Sequence, residues 1–465
     1  MRKFLGLSMI ILSLVAFSAC SMVPTFEQLS EEEKFFYENS GPTPYTSEEE
    51  LESITNYGDD FVHWKVARAF AIFEFENEKA KNPKWANGNL SAYPVLLYDG
   101  NGKPKVYEFR VVVDGKEIGT VSCTVQKKDG LPVTHFLDFA RDYSKILTKG
   151  GNAKLIAIGY PSVVAYSENF VKGGRIKVAK SLDNDEEINV PVEVPVVDFL
   201  TNATEEELSK LFMTKEEANA VAAQIVAEEE SNKIFWEECK QFEQEIINTP
   251  VEDLAKSVKK AILRTKGDYD DEYVVSKWWD CRYWYNPGDW CGPNCLTFVS
   301  AVDGQYWGAN VSGMMLGSKD FMYTIYRKVL EKVGEGAKAP WDLKNALEAN
   351  TSFSLYWIFS IFGIWSSVRD SLKSVNIPAL SLRGTGWVEQ ANKWDWAWHW
   401  RVVLGTRHEH REWQEKWAFL WWSWYVTKTS DTYYYHMRDN GSDGGVFKER
   451  VGGSWQFAFY QIYRR

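Results

Sequence analysis

The chain has 465 residues, of which 45% are hydrophobic and 25% charged, and its formal net charge is −11 at pH 7. That length exceeds one ordinary core and favours two or three domains. The acidic balance excludes nucleic acid as a partner, since its phosphates would be repelled, and the hydrophobic share excludes disorder on a large scale.

At the start, Arg2 and Lys3 precede an apolar run, FLGLSMIILSLVAF, which closes on Ser18-Ala19-Cys20. A basic beginning, an apolar core and small residues before a break describe a secretory signal peptide. With a cysteine directly after the small pair, residues 1–20 resemble a bacterial lipoprotein signal. The resemblance implies cleavage before Cys20, a lipid on that cysteine, the membrane as a partner and a cell-envelope location. Residues 21–45 then read as a tether.

Residues 46–200 carry a mixed pattern. Phe61 to Lys79 reads as a helix with Val62, Val66, Ala69, Phe70 and Phe73 on one face. The runs YPVLLYD, KVYEFRVVVD and EIGTVSCTVQ alternate like strands. Asp99-Gly100, Asn101-Gly102 and Asp114-Gly115 between them favour the left-handed backbone of hairpin turns. A helix followed by a three-stranded meander is a small α+β unit, to which KLIAIGY and INVPVEVPVVDF add strands.

Residues 201–265 turn to helix formers and acid. Thr204 with Glu207, Thr214 with Glu217 and Thr249 with Glu252 fit capping boxes, and Pro250 suits a first helical position. They predict three short linking helices, with EEELSK and AEEESNK as solvated faces.

Residues 266–465 hold 19 of the 22 tryptophans and four of the six histidines. The run Phe353 to Trp365 is too short to span a bilayer and reads as a buried helix. Trp394, Trp396, Trp398 and Trp400 alternate, so they would share one strand face, as core, domain interface or ligand platform. Besides Cys20 there are five cysteines, Cys123, Cys239, Cys281, Cys291 and Cys295. An odd number in an exported chain leaves an unpaired thiol. Their spacing lacks the paired knuckles of a zinc site, and His408-Glu409-His410 offers no third ligand, which makes it a solvated insert. No metal or other cofactor is implied.

The stretch DWCGPNCLTF places Cys291 before Gly292 and Pro293. With Pro293 at the first helical position and Gly292 as cap, the amides and dipole of the helix start favour a thiolate at Cys291. Cys295 lies a turn further in, on an apolar face with Phe298 and Val299. Downstream, His399 opens the strand-like run WHWRVVLGTR, after SVRDSLKSVNIPALSLR, which reads as a helix and then a strand leading toward it. A further strand, YYYHMRDNG, ends at Asp439-Asn440, and either side chain would hold the second nitrogen of His399.

A cysteine on a helix start followed by histidine and aspartate or asparagine on strands resembles the papain-like cysteine peptidases. Within them it is most similar to the branch containing the bacteriocin leader (double-glycine) peptidases. There a Cys-Gly opens the helix with a second Cys four residues on, as with Cys291 and Cys295, and a His-aromatic-x-Val-Val strand matches His399 to Val403. The resemblance implies an α+β fold in which a helix bearing the nucleophile packs on an antiparallel sheet, with a protein or peptide as substrate. Cys291 would attack the carbonyl, His399 would carry the proton, and Asp439, with Asn440 the alternative, would orient the imidazole. The backbone amide of Cys291 would serve an oxyanion hole. The family's oxyanion glutamine is replaced by Tyr285, which leaves Asn286 as the nearest amide side chain. HEHREWQEKWAFLWWS lengthens the gap from His399 to Asp439. Residues 46–200 resemble the cystatin-like or PepSY-like pro-regions of related bacterial peptidases, which implies an inhibitory or an accessory role. The alternatives on the same scaffold are a deamidase, a transglutaminase-like enzyme or a peptidoglycan-peptide hydrolase. The rival from another class is a catalytically silent, tryptophan-rich binding lipoprotein.

Overall fold

The computed structural model describes residues 43–465 except 55–57, 80, 150–151, 162, 183–184, 191, 194, 260–268, 282–283, 285–289, 337, 359–363, 384–385, 388–398, 420–421, 439–444 and 452–457. Cys20 and the signal-like segment lie outside the described residues. No helix among the described residues is long and apolar enough to cross a membrane.

Helices α1 (Glu48–Glu52) and α2 (Trp64–Lys79) precede β1 (Asn89–Leu90), β2 (Val95–Tyr98), β3 (Pro104–Val113), β4 (Lys116–Thr124) and β5 (Val133–Leu137). The expected meander is present, with β2, β3 and β4 as antiparallel neighbours. Asp114 at φ 50° and Gly115 at φ 80° form the predicted left-handed turn between β3 and β4. Helix α2 begins at Trp64 rather than Phe61 because the residues before it are tied to the sheet. The Val62 amide donates to the Val125 carbonyl, 2.8 Å, and Phe61 bridges Gln126.

Next come α3 (Ser144–Leu147), β6 (Lys154–Gly159), β7 (Val163–Ser167), β8 (Val178–Ser181), β9 (Glu187–Asn189) and β10 (Val192–Glu193). The end of INVPVEVPVVDF is not strand but α4 (Val196–Asn202), which starts directly after Pro195. In α5 (Glu205–Ser209) and α6 (Lys215–Ile247) both capping boxes are formed, at Thr204 and Thr214. The expectation of three short helices fails at α6, which runs for 33 residues. Its sequence holds no glycine or proline to stop it. The third box is not made: the Thr249 hydroxyl donates back to the Glu245 carbonyl, and Pro250 precedes α7 (Val251–Lys259) as its cap.

The C-terminal region comprises β11 (Tyr269–Val274), α8 (Cys291–Val302), α9 (Lys319–Val333), α10 (Pro340–Asn350), β12 (Phe353–Trp357), α11 (Ile364–Val375), β13 (Ala379–Arg383), β14 (Gly386–Trp387), β15 (His399–Phe419), β16 (Trp422–Arg438), β17 (Val446–Arg450) and β18 (Ala458–Arg464). The run from Phe353, expected as a helix, begins as strand β12. Its hydrogen bonds go to β18, and Phe353 and Leu355 turn into the core while Tyr356 is exposed.

One 16-stranded sheet runs β12-β18-β13-β15-β16-β17-β5-β4-β3-β2-β6-β7-β8-β9, with β1 on β3 and β11 on β15. Its pairings are antiparallel except β2 with β6. The chain is thus α+β with a mixed, largely antiparallel sheet. The sheet does not break between the regions 46–200 and 266–465, because β5 and β17 pair directly, Leu137 opposite Phe447 and His135 opposite Glu449. Helix α6 also serves both regions. Ala218, Val221 and Ala222 join the core around α8, whereas Trp236, Cys239 and Ile246 join the core around α2.

The segment HEHREWQEKWAFLWWS extends the β15–β16 hairpin, which pairs from Val402 with Arg438 out to Phe419 with Trp422. Its first residues are not a solvated insert. β11 covers them, Glu409 is buried against Arg407 at 2.9 Å and Lys81 at 2.7 Å, and His408 stacks on Tyr433 with ring centroids 4.4 Å apart.

Candidate active site

Helix α8 starts two residues earlier relative to its proline than expected. Trp290 is the cap, without a side-chain bond, and Cys291 is the first helical residue, so Gly292 is not the cap and Pro293 falls third. Pro293 is tolerated there because the first four amides of a helix have no partner within it. The first such bond is Asn294 N–H to the Trp290 carbonyl, 3.1 Å. Cys291 therefore lies inside the first turn, where the positive end of the helix favours an anion.

The stripe Cys291, Asn294, Cys295, Phe298 faces the sheet, and the whole helix is buried. Two of its thiols grip one residue of β15. The Trp400 backbone N–H donates to the Cys291 sulfur at 3.5 Å, and the Cys295 thiol donates to the Trp400 carbonyl at 3.2 Å. The Trp400 side chain is fully buried beneath α8, its indole N–H on the Lys338 carbonyl at 2.7 Å.

That amide belongs to the peptide joining His399 to Trp400. One C–N and one Cα–C bond separate its nitrogen from the His399 Cα, so the Cys291 sulfur lies within about 6–7 Å of that Cα. This is inside the span of a histidine side chain plus a hydrogen bond. His399 opens β15 opposite Arg383 of β13 and is half-buried. The helix and strand predicted to lead to it, α11 and β13, are both present. The structure thus brings the Cys291 sulfur to the peptide that joins His399 to Trp400. Asn286, Asp439 and Asn440 lie outside the described residues, as do Tyr285, Trp394, Trp396 and Trp398.

All five described cysteines are buried. Burial pushes the Cys281 thiol up to about 12 despite the opposing charge of Arg438, and it pushes Cys123 well above its ordinary value. Neither is a nucleophile at neutral pH. Among the described residues no group of His, Cys, Asp or Glu is placed to hold a metal ion. A hollow of about 660 Å³ lined by Lys277, Asp303, Tyr356, Asn376, Gln461 and Arg464 lies along β12 and β18 and includes neither Cys291 nor His399.

Three residues at the site escaped the sequence reading. The Trp284 indole N–H donates to Asn294 Oδ1 at 2.5 Å, and the Trp284 carbonyl accepts from Arg438. Arg438 is buried at the end of β16 with its guanidinium 4.8 Å from the centre of the Phe298 ring. The only signal in the sequence is an arginine immediately before Asp439.

Comparison with known proteins found no matching family model, no matching curated protein and no matching solved structure.

Proposed function

We propose that the chain is a thiol hydrolase of papain-like type, a cysteine peptidase in which Cys291 is the nucleophile and His399 the general base. The observation that carries the reading is the Cys291 sulfur at the start of α8, accepting the amide next to His399. A hydrogen bond from an amide and a helix N-terminus both stabilise a thiolate over a thiol. An adjacent imidazole takes the proton and returns it to the leaving amine. Asp439 or Asn440 follows Arg438 in sequence and supplies the orienting group. The Cys291 backbone amide is a ready oxyanion donor, with Asn286 the candidate for a second.

In this reading residues 1–20 export the chain, Cys20 carries lipid, and the body acts on proteins or peptides at the cell envelope. The region 46–200 is the cystatin-like or PepSY-like unit.

The test is alkylation of Cys291 by iodoacetamide from about pH 4 to 9, followed by peptide mass spectrometry. Labelling well below the free-thiol value of roughly 8.5, and its loss in His399→Ala, is the expected result. Labelling that rises only near that value in both proteins would leave the silent binding lipoprotein as the better account. Release of ammonia, or transfer to an added amine, during turnover would redirect the assignment to a deamidase or transglutaminase-like activity.

A further inference from the structure

We infer that Arg438 is a positioning residue for this site, holding Trp284, seven positions before the nucleophile, against the nucleophile helix and against the end of β16. The inference rests on the peptidase reading and extends it to a residue outside the Cys-His-Asp/Asn set.

A buried guanidinium is costly to desolvate, so its place must be specified by the contacts it makes. Arg438 is 1% exposed. Through its own backbone it pairs β16 with β15, opposite Val402 and three positions from His399. Its guanidinium carbon lies 4.8 Å from the centre of the Phe298 ring, two turns below Cys291 on the stripe of α8 that faces the sheet. Its Nη2 donates to the Trp284 carbonyl.

Trp284 is thereby held at both ends, its carbonyl by Arg438 and its indole by Asn294 of α8. It lies seven positions before Cys291 and directly before Tyr285, where the resembled family places its oxyanion glutamine. One side chain thus joins the approach to the nucleophile, the nucleophile helix and the strand that leads to Asp439. Lysine keeps the charge but lacks the planar fork that bonds a carbonyl while lying on an aromatic ring.

The experiment measures the iodoacetamide rate at Cys291 against pH in full-length wild type, Arg438→Lys and Arg438→Met, with thermal unfolding recorded for each. We expect the rate at pH 6 to fall at least tenfold in Arg438→Met and its midpoint to climb toward that of a free thiol. Arg438→Lys should fall between the two. A folded Arg438→Met with a lower Tm but an unchanged rate and midpoint would make Arg438 a packing residue and overturn the inference. If Arg438→Met does not fold, Arg438→Lys decides: a several-fold loss supports the role, and wild-type behaviour overturns it. Absence of low-pH labelling in the wild type would instead sink the peptidase reading, and this inference with it.

Discussion

Glu449 sits in the middle of the sheet at 1% exposure, and burial alone would raise its carboxyl pKa. The charge of Arg401 and the imidazole of His135 overcome that and hold it at about 2, against an ordinary 4.5. Arg401 reaches it with Nη2 at 3.3 Å, and His135 Nε2 stands 3.6 Å away. A carboxylate depressed on folding contributes stability that is complete above about 4.5 and is lost as pH falls through about 2. Glu449→Gln should therefore cost about 3–5 kcal/mol at neutral pH, because Arg401 and His135 stay buried without their anion. Urea titrations of both proteins would show the gap closing as pH falls through that window. A gap that is flat with pH would mean that the carboxylate is not the source. Residues of this kind were invisible in the sequence, as were Trp284, Asn294 and Arg438, since their partners are distant along the chain. Cys291 and His399 were legible because a thiol before Gly-Pro and a histidine opening an apolar strand carry their signal locally.

At the scale of elements, local rules held where local chemistry decides. The capping boxes at Thr204 and Thr214 formed, as did the Asp114-Gly115 turn. Local rules fell short where the same residues suit two structures. Phe353 to Trp357 is apolar enough for a buried helix, and the free edge of β18 made it a strand. Pro293 suits the first helical position, yet α8 starts two residues earlier at Cys291. Gly292 shows how little that start depends on glycine. A Cβ there would lie 3.5 Å from its nearest neighbours on Leu343, Lys338 and Trp400, an ordinary contact. Gly292→Ala should fold and alkylate at Cys291 at close to the wild-type rate. Gly405 is the opposite case. It lies at the β15 bulge, and a Cβ there would sit 2.2 Å from the Tyr273 carbonyl oxygen of β11. Backbone cannot yield as a side-chain tip can, so Gly405→Ala should cost on the order of 1–3 kcal/mol and loosen β11. Urea unfolding would detect the loss, and hydrogen exchange across residues 269–274 would locate it. An undisturbed β11 would show that the strand has more room than its carbonyl position implies.

For the whole molecule, the decisive contact is β5 against β17. Composition divides the chain near residues 200 and 266, and a pro-region reading of the front half supposes that the back half stands without it. The shared sheet argues otherwise. Removing residues 1–265 would leave β17 with an unpaired edge, a known route to aggregation. It would also strip His135 from Glu449, Glu78 from Lys448 and Lys81 from Glu409. The part of the core that Trp236 and Phe136 share with Tyr434 would open as well. Residues 266–465 expressed alone should therefore be insoluble or fail to alkylate at low pH. A single cut between residues 260 and 268 in the full-length protein should leave two pieces that co-elute and still label at Cys291. A soluble, reactive 266–465 fragment would instead mark the front half as a releasable inhibitor. Pieces that separate after the cut would show that the linking chain, rather than the β5–β17 ladder and its buried charges, keeps the halves together.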